Sequence, residues 1–527
     1  MELGISSGVE ILVAIGVIFL GGIVLMLFRD LIWRPFAVYN VYTKQGLRGP
    51  SYHFLTGSVP EYQELMTKAC AEPMKEISHD IVPRIMPHYH KWCQIYGEPF
   101  FYWYGVQSRL YIAEPELIKE VLFNKFGFYY KNPPKPLVLA LLGRGLGVTN
   151  GSQWAKHRRI VSPAFNIDKL KTMVKRMASC TLSILEKWQE MVTQADSYGK
   201  EIDVHSEFRA LTADIISHTA FGTSYNEGKE VFEFQRELQT MAAEAERSLF
   251  IPGSQYIPTS KNRYAWRIDR RVKEILKGII QSRLKPIPEG TDVDYGNDLL
   301  GIMMTANKRE MSGIRRNLGM TIDEIMDECK TFFFAGHDTT SNLLTWTVFL
   351  LSINPEWQEK LRDEVTNVCG TDIPDADMLG RLKLMSMVLY EALRLYPPGS
   401  ILTRITYKEM KLGSFALPKE TRVVMAILAM HHSKKFWGED ARMFRPERFS
   451  GSAAKASIHP NVFIPFSTGP RSCVGQHFAM LEAKTVLSMI LQRFSFSLSP
   501  AYRHAPIAML TLQPQYGMQI IFKSVEM

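Results

Sequence analysis

The sequence predicts a mainly α-helical protein with a small β region, held at a membrane by one N-terminal helix. Three observations carry that prediction. Residues 11–28 are uncharged and strongly apolar, close to the roughly 20 residues that a bilayer crossing requires. Thr321-Ile322-Asp323-Glu324 is a capping box, and the helix it opens can run to about residue 353, where Asn354-Pro355 stops it. At about 1.5 Å per residue such a helix approaches ~50 Å and crosses a whole domain. Residues 167 to about 250 repeat the amphipathic helical pattern with polar breaks, whereas only short runs, 99–105 and 109–112, read as strands joined by a turn.

Composition narrows the classes. The 527 residues would fill three or four domains at about 150 residues each, or one large one. The hydrophobic share, 46%, is ordinary for a globular chain. The net charge of +9 suits an anionic membrane surface or an acidic protein partner. No basic run resembles a nucleic-acid motif, so no nucleic acid is expected. The six cysteines, Cys70, Cys93, Cys180, Cys329, Cys369 and Cys473, are too few and scattered for a disulfide framework. None forms a C-x-x-C pair, which disfavours a zinc ribbon and fits a reducing compartment.

At the N-terminus a cleaved signal peptide would need a basic start, but only Glu2 and Glu10 stand there. The run reads as an uncleaved anchor. Arg29, Arg34, Lys44 and Arg48 follow it, which places the body in the cytosol. Trp33 suits the interface. The sequon Asn150-Gly151-Ser152 would then never meet lumenal glycosylation and reads as a turn. Gln45-Gly46-Leu47-Arg48-Gly49-Pro50 reads as a stiff hinge. Gly143-Arg144-Gly145-Leu146-Gly147 lacks the spacing of a phosphate loop.

Trp154 and Arg158 lie four apart and share one helix face. Residues 287–297 and 308–319 read as polar loops. Midway along the long helix, Ala335-Gly336-His337-Asp338-Thr339-Thr340 is poor helix material and is expected to kink it or open its hydrogen-bond ladder. Glu391 and Arg394 lie three apart on a later helix. Phe444-Arg445-Pro446-Glu447-Arg448-Phe449 follows, and 509–517 reads as a hairpin. His431-His432 and His88-Tyr89-His90 lack zinc-site spacing and are read as structural. His337 is expected to face solvent or neighbouring helices.

Everything is organised around Phe466-Ser467-Thr468-Gly469-Pro470-Arg471-Ser472-Cys473-Val474-Gly475. Glycine and proline forbid regular structure there, and a helix follows. A cysteine at a helix mouth is expected to favour thiolate, a metal ligand. The pattern Phe466-x-x-Gly469-x-Arg471-x-Cys473-x-Gly475 resembles the haem-binding loop of the cytochrome P450 monooxygenases at every fixed position. Thr468 and Val474 occupy variable positions where other residues are more usual.

The resemblance covers about residues 35–527 through five motifs in the family's order. It implies a P450 fold on an anchor helix, with 1–34 the anchor, 35–50 the hinge and 51–527 the catalytic domain. It implies haem b, iron protoporphyrin IX, on Cys473, with Phe466 in the binding loop. Trp154, Arg158, Arg404 and Arg471 would serve the haem propionates. Thr339 and Asp338 would guide protons during oxygen activation. Glu391, Arg394 and Arg448 would lock into a buried network beneath the haem loop. Residues 241–258 would include a lid, and the C-terminal hairpin would dip into the substrate cavity.

The implied activity is hydroxylation of a hydrophobic small molecule with O2 and electrons from NADPH, delivered by NADPH-cytochrome P450 reductase at the endoplasmic reticulum membrane. More narrowly, residues 332–346, 374–396 and 469–484 resemble the plant membrane-bound clan. In-chain fatty-acid hydroxylation is the first expectation. Hydroxylation of a cytokinin, a gibberellin or a triterpenoid is the alternative. A haem-thiolate isomerase or dehydratase, or a haem gas sensor, would share Cys473; the retained Thr339 argues against the former. A purely structural membrane protein is disfavoured by a polar cluster inside a buried helix.

Overall fold

The structure, a computed structural model, describes residues 2–124, 127–222, 225–249, 253–284, 295–296, 298–312, 319–451 and 455–525. Helix Glu2–Phe28 continues through a π-helical turn, Arg29–Trp33, into helix Arg34–Lys44. Among the described residues this is the one run long and apolar enough to cross a membrane, and its apolar stretch is not buried in the protein. The second half docks on the body. Tyr42 is fully buried, with its hydroxyl 2.8 Å from Thr421 Oγ1, and Tyr39 meets Phe101 edge-on at 5.7 Å. The segment read as a hinge is therefore helical up to Lys44 and irregular only from Gln45.

The long helix is Ile322–Ile353, 32 residues, opened by the expected capping box. Glu324 N–H donates to Thr321 Oγ1 at 3.2 Å, and Thr321 N–H donates to Glu324 Oε2 at 2.9 Å. The helix keeps its α-helical assignment through the polar stretch. Polar side chains supply extra donors to its middle turns. The Thr212 hydroxyl donates to the His337 carbonyl at 3.0 Å, and Asn342 Nδ2 to that of Asp338 at 2.7 Å. Gly336 serves close packing, since a Cβ there would lie 2.8 Å from Ile216 Cδ1. Helix Val204–Phe221 thereby lies tight against the long helix, and Phe221 stacks on Phe333 at 4.0 Å.

The principal sheet has five strands in the order Phe100–Tyr104, Gln107–Ile112, Arg422–Met425, Leu402–Thr406, Tyr129–Tyr130. The first pair is the expected antiparallel hairpin. The second runs parallel, with Arg109 opposite Arg422. The C-terminal hairpin sits earlier than expected: strands Pro506–Met509 and Thr511–Pro514 turn at Leu510, φ 69°. Within 167–250 a strand, Lys200–Asp203, separates the helices. Of the two expected polar loops, 308–312 ends helix Leu299–Ser312; 287–294, 297 and 313–318 lie outside the described residues.

Candidate active site around Cys473

The Cys473 loop is fixed by its own backbone. Cys473 N–H donates to the Phe466 carbonyl at 2.9 Å, and Ser472 N–H to that of Gly469 at 3.0 Å. Gly469 has φ +75°, and a Cβ there would lie 2.5 Å from the Leu122 carbonyl oxygen, so only glycine fits. Arg158 Nη1 donates to the Ser472 carbonyl at 2.9 Å. Upstream, Ile464 N–H donates to His431 Nε2 at 3.3 Å. Burial pushes His431 down to about 3, so it is a neutral acceptor there.

Cys473 exposes its surface to an internal cavity that it lines. The expected thiolate preference is not found in the protein alone. Burial pushes the thiol up, against a hydrogen bond from the Gly475 backbone and the charges of Arg158 and Lys131. Local dipoles are outweighed by enclosure, so loss of the proton must accompany metal binding.

The opposite wall is the long helix, with Phe332, Ala335, Gly336, Thr339 and Leu343 facing in. Thr339 Oγ1 donates to the Ala335 carbonyl at 2.7 Å. Asp338 is not in that wall. It is fully buried, and its Oδ2 accepts from Gln239 Nε2 at 3.0 Å and Thr511 Oγ1 at 2.5 Å. Its Oδ1 has no hydrogen bond and lies 3.7 Å from Arg209 Nη2. One step along a helix turns a side chain by about 100°, which separates these sequence neighbours. The 167–250 region, whose sequence shows only amphipathic helix with polar breaks, supplies both Arg209 and Gln239 to Asp338. His337 is packed on Phe232, and burial lowers it to about 4.

At one edge of the cavity the structure gathers cations. Arg471 lies over the Trp154 ring at 4.5 Å, and it donates to the Thr149 carbonyl at 3.0 Å and to Asn150 Oδ1 at 3.2 Å. The sequon asparagine is thus an internal brace. Arg158 and Lys131 also line this cavity. Arg404 lines an adjoining one with Lys131 and, among the described residues, donates only to the Thr403 carbonyl, at 2.8 Å. None of Lys131, Arg158, Arg404 and Arg471 has a carboxylate partner among the described residues. Burial, with the Arg404 and Arg471 charges, pushes Lys131 down to about 7. Buried cations without counter-ions are costly unless an anion meets them. A thiol on one wall, an apolar wall opposite and a cation edge fit a haem with its two carboxylates.

Beneath the loop, Arg394 binds Glu391 bidentately at 2.7 and 2.6 Å, both residues fully buried. Its other N–H groups reach the carbonyls of His431, Ala441 and Met443. Arg448 differs from expectation. Its Nε is 3.5 Å from Glu391, and its closer partner is Asp440, at 2.8 Å. Asp440 and Lys131 escaped the sequence reading, as did Glu328, which accepts from the Leu146 N–H at 2.8 Å and lies 2.5 Å from His157 Nδ1. Glu328 is a single charged residue whose partners lie far away in the chain, whereas Asp440 lies only eight residues before Arg448, in irregular backbone whose spacing carries no periodic signal. His88, His431 and His432 are all buried, as the structural reading expected.

The family model for cytochrome P450 matches residues 77–522. Cytochrome P450 709B1 of Arabidopsis thaliana is 45% identical over 524 residues, covering 97% of this chain and 99% of that protein. Cytochrome P450 734A6 of Oryza sativa subsp. japonica is 43% identical, covering 93% and 92%. Secologanin synthase 2 of Catharanthus roseus is 42% identical, covering 95% of each. Matched over most of its length, and with a cysteine loop facing an apolar helix across a cation-edged cavity, the chain belongs to the cytochrome P450 family of haem monooxygenases.

Proposed function

We propose that this monooxygenase hydroxylates a fatty acid within its chain, using electrons from NADPH through NADPH-cytochrome P450 reductase. The observation that carries the reading is the form of the space. The apolar wall of Phe332, Ala335, Leu343 and Ile427 adjoins a second cavity of about 470 Å³, and Lys131, Gly147 and Leu402 line both. Since haem on Cys473 would take up much of the inner chamber, the linked outer one gives a long, slender substrate room to extend away from the apolar wall.

In this reading Cys473 is the iron ligand. Trp154, Arg158, Arg404 and Arg471, joined by Lys131, hold the haem carboxylates, and Phe466 packs beside them. When bound, haem supplies the oxygen-activating iron and its one-electron chemistry. The residues of the chain orient and exclude. Thr339 donates its proton to the Ala335 carbonyl, which leaves its oxygen free to accept from a water in the cavity. Asp338 serves from behind the helix, where Arg209, Gln239 and Thr511 fix its carboxylate for passing protons inward. Glu391, Arg394 and Arg448 hold the floor. Residues 1–34 anchor a cytosolic body, 51–527, to the endoplasmic reticulum membrane through 35–50, and the +9 net charge favours docking of an acidic reductase.

The test is a titration of the haem-loaded protein with saturated fatty acids, read at the Soret band, followed by turnover with reductase and NADPH. A shift to high spin and in-chain hydroxy acids are expected. Absence of both, in protein that oxidises cytokinins, gibberellins or triterpenoids, overturns the fatty-acid reading and leaves the monooxygenase.

A further inference from the structure

The outer cavity carries charge that the haem does not explain. Its lining includes six cationic side chains, Arg109, Lys131, Lys135, Arg247, Arg404 and Arg422, but a single carboxylate, Glu246. Lys131 and Arg404 face the haem edge. Lys135 lies 3.8 Å from Glu246, and Arg247 donates to the Ala508 carbonyl at 2.8 Å. That leaves Arg109 and Arg422. They stand opposite each other on adjacent parallel strands, so side chains of like charge project side by side from one face. Arg109 lies over the Tyr104 ring at 3.9 Å, and its one side-chain hydrogen bond among the described residues is a long one, 3.5 Å, to the Tyr102 hydroxyl. Arg422 has no side-chain hydrogen bond or ion pair among the described residues. The Nε atoms of both are buried and unpartnered.

Two enclosed guanidinium groups in register, with no carboxylate at ion-pair distance among the described residues and Glu246 acting on both only from further off, form an anion receptor, since each presents a planar fork matched to a carboxylate. Tyr104 holds Arg109 flat, and the Tyr104 hydroxyl is fixed by the carbonyls of Glu246 and Ser248 at 2.6 and 2.8 Å. We propose that Arg109 and Arg422 bind the carboxylate of an acidic substrate, so that the enzyme selects carboxylic acids over neutral molecules of the same shape. This deepens the fatty-acid reading and rests on it only for the apolar part of the ligand.

The experiment compares acid and ester. Haem-loaded wild type, Arg422→Gln and Arg109→Gln are titrated with dodecanoic acid, methyl dodecanoate, a gibberellin carboxylic acid and its methyl ester. The carbon monoxide difference spectrum confirms intact haem in each variant. Wild type should bind at least one acid tenfold or more tighter than its ester. Each variant should lose about tenfold for the acid and stay within twofold for the ester. If only the gibberellin pair behaves so, the receptor stands and the fatty-acid reading falls. Equal wild-type affinity for acid and ester, or equal loss of both in the variants, overturns the receptor. So does a protein that binds only neutral ligands.

Discussion

Two sets of enclosed cations in this molecule are built on opposite principles. Beneath the cysteine loop every charge is answered: Arg394 holds Glu391 at 2.6 Å and Arg448 holds Asp440 at 2.8 Å. Around the cavities Lys131, Arg158, Arg404, Arg471, Arg109 and Arg422 have no carboxylate at ion-pair distance among the described residues; Glu328 acts on Lys131, and Glu246 on Arg109 and Arg422, only from further off. A buried pair that satisfies itself belongs to the scaffold. A buried cation left without its partner marks where an anion from outside must lie. The difference separates residues that fold the protein from residues that read its ligands, although both sets are arginine-rich and both are buried.

The largest effect falls on the one residue between the two sets. Cys473→Ala should abolish turnover and the carbon monoxide band of a haem thiolate, while circular dichroism stays helical. Retained activity would break the assignment outright. Next, Glu391→Ala leaves Arg394 charged, buried and unpaired, which typically costs about 3–5 kcal/mol. Urea unfolding should report that loss, and haem-loaded yield should collapse. Arg404→Met tests the other set and carries the opposite sign. Removing an unanswered buried charge should leave the haem-free chain as stable or more so, yet speed haem loss about ten- to hundredfold, because a hydrogen bond to a charged group is worth ~1.5–3 kcal/mol. If Arg404→Met destabilises the haem-free chain as strongly as Glu391→Ala, the distinction between the two sets fails.

What the sequence disclosed follows the same division. The cysteine loop was legible because glycine and proline act locally, and Gly469 indeed admits no Cβ. The long helix was legible from its capping box and from the proline that ends it. The pairing of Glu391 with Arg394 needed only helical spacing. Other features depend on remote segments. Arg109 meets Arg422 through strand register, which no local pattern encodes. Asp338 turns from the cavity by helix rotation alone, but the groups it meets there, Arg209, Gln239 and Thr511, come from remote segments. The thiolate expectation failed because a local dipole was weighed without the enclosure that opposes it. Lys131, a lone lysine in sequence, gains its meaning only once Arg404 and Arg471 surround it.

Lys131 also gives the smallest effect and the finest test. Burial, then the neighbouring arginine charges, pushes it from 10.5 to about 7 in the haem-free protein. The folded state therefore disfavours the charged form. Below about 7 the lysine is protonated in both states and the penalty is complete. Between about 7 and 10.5 the unfolded chain keeps a proton that the folded chain has released, so stability rises with pH across that window, by at most about 1.4 kcal/mol per pH unit for one proton. Lys131→Met should flatten this rise. Haem should flatten it as well, since a carboxylate beside the ammonium restores the charged form. Denaturant unfolding of the haem-free protein and the variant, measured in steps across the window, decides the matter. Parallel curves would show that the Lys131 charge is already answered within the protein, and would move this residue from the ligand-reading set to the scaffold.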